Sequence, residues 1–335
     1  MNQHPCRFFI LILLTLTLVS NTGLMLMTPS ASATKGAYPG ANGKIAFSEG
    51  DVIFIMNEDG TNIRQLTDGT SFDINPCWSP DGTKIAFGRS IRGFADSTIW
   101  IINIDGSGPR QLTLGGYETA PAWSPDGTKI MFSKETGGAD DGIYVIESNG
   151  PTGSGTLLIA NAHAPSWSPD GSKIVFFSSG NIFLADAQTG SVIGGALAEG
   201  YDPCWSPDGL KITFAGSDVA IWVMNADGSN KHQLSNPPEG YEDGEPNWSP
   251  DGTKIIFQRV LFSIWIMNAD GSGAHDLTPS MPNARAPDYQ RLPKTGPVGG
   301  VLMPTNKLEI VATFAALAGL VIAVSAVVAV KKRRD

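Results

Sequence analysis

An aromatic residue is followed by an acid in four loops of this chain, at Phe72-Asp73, Tyr117-Glu118, Tyr201-Asp202 and Tyr241-Glu242. Asp243 and Glu245 add negative charge near the last pair, while His163 and Arg285 occupy matching stretches and break the pattern. Carboxylates next to ring faces attract cations, by charge and through the π system. A cluster of this kind suits a cationic peptide segment, an amino sugar or Ca²⁺. A different use needs two carboxylates facing one glycosidic bond, with His163 as general acid or base. That would be a polysaccharide lyase or glycoside hydrolase working at the cell surface.

Binding is the favoured reading, and no catalytic residue is expected. The histidines beyond the N-terminal segment are His163, His232 and His275, and they form no metal-ligand spacing. A Gly-x-Ser-x-Gly nucleophile elbow is absent from the sequence. The expectation is therefore no cofactor, no metal and no enzyme. The candidate binding residues are Asp73, Glu118, His163, Tyr201, Asp202, Tyr241, Asp243, Glu245 and Arg285. Of these, Asp73, Glu118, Asp202 and Glu245 are expected to point into one channel mouth.

These residues precede or follow a repeated stretch, and the repeat must position them. "NPCWSPDGTKIAF" starts at Asn75, and near-copies carry Trp123, Trp167, Trp205 and Trp248. The Trp-to-Trp spacings are 45, 44, 38 and 43 residues, which suits units whose loops differ in length. Lys-Ile-x-Phe recurs six times, from Lys44, Lys84, Lys129, Lys173, Lys211 and Lys254. Each copy is followed by an Ile-aromatic step ending at Phe54, Trp100, Tyr144, Phe183, Trp222 or Trp265. Short apolar runs of this kind, bounded by Ser-Pro-Asp-Gly and Asn-x-Asp-Gly, read as strands joined by tight turns. The turns also give the Asp of each "PDG" a backbone-bonding role in place of a metal one.

Each copy thus supplies four short antiparallel strands, too few to bury two apolar faces alone. Radial stacking buries both, which predicts an all-β, six-bladed β-propeller of four-stranded blades over residues 42–290. The first copy lacks a Pro-x-Trp strand, whereas the last is followed by "APDYQ" with Tyr289 where Trp would fall. The C-terminal strand is therefore expected to complete the first blade and close the ring. Cys77 and Cys204 sit before repeat Trp residues three units apart. They are expected as small buried thiols on opposite sides, too far apart for a disulfide.

"P-x-W-S-P-D-G-x-K-I-x-F" followed by "I-W-x-M-N-A-D-G-S" resembles the TolB-type, WD40-like propeller repeat. The resemblance covers about residues 42–290 and implies a six-bladed propeller outside the cytoplasm. Family members that serve envelope assembly carry an α/β domain ahead of the propeller. Here the repeats begin soon after the N-terminal segment, so the repeat architecture alone carries over.

The ends read as export and anchoring signals. Residues 1–33 resemble a secretory signal, with Arg7, an apolar run Phe8–Val19 and a small-x-small site at Ala31-Ser32-Ala33. An uncleaved N-terminal anchor is the alternative. Residues 34–41 form a lead-in and 291–309 a linker. The charge-free stretch 310–330 is long enough for a transmembrane helix, and 331–335 is a basic cytoplasmic tail. Leu292, Pro293, Lys294, Thr295 and Gly296 spell LPKTG ahead of this span, and the ensemble resembles the LPXTG cell-wall sorting signal of Gram-positive surface proteins. The resemblance implies sortase cleavage after Thr295 and linkage to peptidoglycan. A plain C-terminal membrane anchor is the alternative. Either way the body lies at the cell wall or the outer face of the membrane.

The formal charge is −9, and loss of Arg7 with the signal makes it −10. An acidic body argues against nucleic acid, whose phosphates require basic surface. The expected partners are an extracellular peptide, protein or glycan, together with the sortase, peptidoglycan and the membrane.

Overall fold

The computed structural model describes residues 41–90, 96–259 and 263–292. The signal segment, most of the lead-in, Pro293–Gly296 of the sorting motif, the apolar span and the basic tail lie outside the described residues. Leu292, the last described position, is exposed.

The described chain folds into six four-stranded antiparallel sheets. Their innermost strands are Ala284–Leu292 (blade 1), Phe72–Trp78 (blade 2), Tyr117–Trp123 (blade 3), His163–Trp167 (blade 4), Tyr201–Trp205 (blade 5) and Asp243–Trp248 (blade 6). Blade 1 is composite. Its inner strand comes from the C-terminal end of the repeats and pairs with Ala41–Glu49 from the N-terminal end. This is the six-bladed closure that the missing Pro-x-Trp strand of the first copy predicts.

The repeated residues explain the blades. The Phe of each Lys-Ile-x-Phe strand faces the aromatic of the next strand, as in Phe47–Phe54, Phe87–Trp100, Phe132–Tyr144 and Phe257–Trp265. Such cross-strand aromatic pairs stabilise a sheet beyond their area burial. In three blades the rings stack with centroids 5.8 Å apart. The core is not one continuous body. It divides into six wedges, each filled from two neighbouring blades: Trp78 of blade 2, for example, packs with Ala46, Ile53 and Ile55 of blade 1. Trp248 of blade 6 packs with Ile221 and Val223 of blade 5. No single sheet encloses its own apolar face, which is why the unit repeats.

The Ser-Pro-Asp-Gly turns work as their chemistry predicts. In blade 2, Ser79 Oγ donates to Asp81 Oδ1 at 2.6 Å, and the Thr83 amide donates to the same oxygen. The arrangement recurs at Asp126, Asp170, Asp208 and Asp251. Each carboxylate is thus occupied within its own turn. Gly82 adopts φ +69° and an added Cβ would stand 2.7 Å from the Arg291 carbonyl oxygen, so the turn requires glycine there.

The ring is stitched where it closes. Asp288 accepts the Trp78 amide at 2.7 Å and the Asn247 side chain at 2.7 Å, joining blades 2 and 6 to the inner strand of blade 1. Gln290 stands where other copies carry the turn Ser. It accepts the Lys44 amide and donates to the Gly82 carbonyl.

Candidate functional site

A pattern shared by all six inner strands shapes the channel. Three positions before each repeat aromatic stands Asn75, Ala120, Ala164, Asp202, Glu245 or Ala286, with proline next in every copy. These six residues have φ between +48° and +51°. Proline offers no N–H to the neighbouring strand, and each inner strand shifts register at this place. The shift is a β-bulge, and it turns the residue ahead of the proline toward the axis. Left-handed backbone at six non-glycine residues costs of order 1 kcal/mol each and is held by the surrounding ring.

The bulges line a central cavity of about 210 Å³, together with the residues just before each repeat aromatic. That second ring comprises Cys77, Ala122, Ser166, Cys204, Asn247 and Asp288. Its side chains take up amides of the next blade: Asp288 takes that of Trp78, and Ser166 Oγ takes that of Trp205 at 3.3 Å. The acids are grouped. Asp202, Glu245 and Asp288 lie on adjacent blades 5, 6 and 1 together with Ala286 and Arg291, and blades 2, 3 and 4 contribute Asn75, Cys77, Ala120, Ala122, Ala164 and Ser166.

Burial governs the ionisation of these acids. It pushes Asp202 up to about 6, against the hydrogen bond from the Glu245 amide. Burial and the Asp202 charge push Glu245 up to about 7, although the Ala286 amide donates to its Oε2 at 2.7 Å. Burial also lifts Asp288 to about 6, opposed by the Trp78 amide and the Arg291 charge.

The sequence-selected residues divide into three groups. Asp202 and Glu245 face the channel. Asp73, Glu118 and Asp243 do not reach it: their side chains are fully buried between blades. The expectation that Asp73 and Glu118 point into the mouth is corrected, because Asp73 is taken up by a cross-strand arginine and Glu118 is buried beside a cross-strand lysine. Arg89 forks onto Asp73 with two hydrogen bonds of 2.7 Å, and Arg259 does the same to Asp243 at 2.6 and 2.8 Å. Both guanidinium groups lie over aromatic rings, Arg259 at 4.1 Å from the Trp265 centroid. Glu118 accepts from the Thr113 hydroxyl and lies 3.9 Å from Lys134, and burial raises it to about 6. The signal was present in the sequence, since acid and cation are sixteen residues apart in all three cases.

The remaining candidates sit at the rim. His163 Nδ1 is 3.4 Å from Glu135 Oε1. Tyr201 is half-buried, with its phenol raised by burial and by the charges of Asp202, Glu242 and Asp218. Tyr241 is exposed. Arg285 is half-buried, and its charge opposes the rise that burial imposes on Glu49, Glu245 and Tyr117.

Sequence reading missed Asp288, Arg291, Asn75 and Asn247 in the channel wall. The signal was the variable residue inside Pro-x-Trp, which packing alone does not require to be polar. Cys77 and Cys204 are free thiols, as expected, but they face the channel instead of lying in a blade core. Burial raises both, Cys204 to about 11. Among the described residues no group of three or more His, Cys, Asp or Glu is arranged to hold a metal ion.

Six four-stranded blades around a narrow polar channel define a β-propeller. The model of the TolB beta propeller domain matches residues 44–180 and 160–290, and the chain belongs to that family. A 51-residue stretch is 43% identical to the Protein TolB homolog of Chlorobium luteolum, covering 14% of this chain and 12% of that protein. The fold is similar to TolB from Acinetobacter baumannii, with TM-score 0.60 and 19% identity over 76% of this chain and 68% of that one. It is similar also to a chain of a nidogen/laminin complex, at TM-score 0.60 and 10% identity over 74% of this chain and 98% of that one. The tricorn protease matches at TM-score 0.57 and 18% identity, over 72% of this chain and 26% of that one. These three likenesses concern the fold alone.

Proposed function

We propose that this chain is an exported, non-catalytic binding module, whose propeller receives a peptide, protein or glycan partner at its channel. Membership of the TolB propeller family supports a binding or scaffold role. The observation that carries the reading is the grouping of Asp202, Glu245 and Asp288 on three adjacent blades of the cavity wall, while blades 2, 3 and 4 contribute no acid to it. Asp288 holds the closure seam, but packing alone does not call for carboxylates at Asp202 and Glu245, since the same bulge position carries Asn75, Ala120, Ala164 and Ala286 in the other blades and a carboxylate there costs desolvation energy. In this reading the motif Leu292–Gly296 serves a sortase, Thr295 becomes the link to peptidoglycan, and the body stands on a Gram-positive-type cell surface.

Two experiments test it. The purified protein is screened against cell-wall peptides and glycans, beside the double variant Asp202→Asn/Glu245→Gln. Saturable binding that the variant loses supports the reading. Turnover of a glycan would move it to a surface lyase or hydrolase, and no binding by any probe would sink the channel as a site. Mass spectrometry of wall digests tests the anchor. A peptide ending at Thr295 joined to a muropeptide supports it, and an intact C-terminus in the membrane fraction refutes it.

A further inference from the structure

The strand that closes the ring and the LPKTG motif share a residue. The inner strand of blade 1 runs Ala284–Leu292, and Leu292 is also the first residue of the motif. Its backbone pairs with Ala41, and that of Arg291 pairs with Asn42. A register shift between Asn42 and Ile45 sets these two pairs apart from the rest of the ladder.

The strand is clamped right up to the motif. The Tyr289 hydroxyl donates to Glu58 Oε1 at 3.1 Å, and Asn42 Nδ2 donates to the same oxygen at 2.9 Å. One carboxylate thus holds both strands of the closing pair. The Asp251 amide of blade 6 donates to Asn42 Oδ1 at 3.2 Å. Gln290 accepts the Lys44 amide at 3.0 Å and donates to the Gly82 carbonyl at 2.8 Å. The Arg291 carbonyl oxygen lies so near Gly82 of blade 2 that a Cβ there would stand 2.7 Å from it. The Leu292 side chain is 38% exposed, so what the fold engages is its backbone.

Given the reading of Leu292–Gly296 as a sortase motif, on which this rests, we propose that the pairing of Arg291 and Leu292 with Asn42 and Ala41 masks the motif. A sortase then engages the chain only when the end of the closure strand opens.

An enzyme that reads a short linear segment takes it extended and contacts its main chain. Leu292 cannot pair with Ala41 and lie in an enzyme cleft at the same time. The blade 2 turn flanks the residue before it. Cleavage of a folded protein runs through the locally opened form, and its rate follows the population of that form when opening is fast. The register shift limits how far opening must spread: Tyr289 and Gln290 stay docked, and the ring stays shut, while the last two pairs separate. In the reaction the Thr295–Gly296 amide breaks and the Thr295 acyl group passes to an amine of the wall. The proton which that amine loses goes to the departing Gly296 nitrogen.

A purified LPXTG-reading sortase, with triglycine as the amine, tests the mask on the full-length protein in detergent and on a synthetic peptide spanning 288–300. The readout is release of the fragment that begins at Gly296. The peptide should be cut about tenfold faster than the protein, which is the population cost of opening a short terminal patch. A flexible Gly-Ser insertion of about ten residues between Arg291 and Leu292 should bring the protein close to the peptide rate. Asn42→Ala removes both side-chain bonds at the partner end and leaves the motif intact. It should speed cleavage about threefold. Asn42 belongs to none of the core wedges of blade 1, so this variant keeps its fold. An uncut peptide would defeat the sortase reading and the mask with it. Equal rates for peptide and wild-type protein would leave that reading standing and overturn the mask. Acceleration by the insertion without acceleration by Asn42→Ala would assign the delay to crowding by the folded body, and would overturn the mask as well.

Discussion

Truncation of Arg89 or Arg259 tests whether Asp73 and Asp243 are structural counterions or exposed mouth acids. Arg89→Ala removes two charge-assisted hydrogen bonds of 2.7 Å and leaves Asp73 with no solvent exposure and no cation. The Arg89 side chain is itself only 13% exposed and lies about 5 Å from the ring centroids of Phe87 and Trp100, so packing is lost as well. Breaking a buried pair from one side costs about 3–5 kcal/mol, against about 0–1 kcal/mol for an exposed pair. For a domain of this size the melting temperature should fall by on the order of 10 °C. Arg259→Ala should behave alike. Lys134→Ala should cost less, about 1–2 kcal/mol, because Glu118 is raised to about 6 and keeps the Thr113 hydroxyl, so it can take a proton when the cation goes. Equilibrium urea unfolding measures all three. The pair Asp73→Ala/Arg89→Ala should recover part of the Arg89→Ala loss, since the stranded charge is gone. A loss below 1 kcal/mol for both arginine variants would falsify the buried-pair account and return Asp73 and Asp243 to the list of solvent-facing acids.

The closure seam makes its own prediction. Asp288→Ala should destabilise by about 2–3 kcal/mol in urea unfolding, because it leaves the Trp78 amide and the Asn247 side chain without an acceptor. Tyr289→Phe should cost about 1 kcal/mol for the hydrogen bond to Glu58 at 3.1 Å. Ala164→Val should destabilise by about 2 kcal/mol or more, since a β-branched residue resists φ +48°. Cys204, raised to about 11, should react with iodoacetamide in the native protein at pH 8 far more slowly than in urea; equal rates would mean an open channel.

Much of this molecule is legible in the sequence because its information is local. Ser-Pro-Asp-Gly specifies a turn through proline φ, a carboxylate that accepts nearby amides and a glycine that tolerates positive φ. Lys-Ile-x-Phe and the Ile-aromatic step specify paired strands by alternation. The missing Pro-x-Trp strand in the first copy, with Tyr289 left over at the end, was enough to anticipate how the ring closes. What the sequence does not reveal is which way an acid points. Asp73 and Asp202 both follow an aromatic in similar loops, yet Asp73 lies five positions before its tryptophan and Asp202 three. The bulge ahead of the recurring proline turns the second toward the channel, while regular pairing places the first opposite Arg89. Side-chain direction reverses with each residue along a strand, so a two-residue offset combined with a bulge decides between a core ion pair and a channel wall. That choice, and the elevation of Asp202 and Glu245 that follows from it, belongs to the assembled ring, because only the assembly brings the next blade's amide and the next blade's charge alongside.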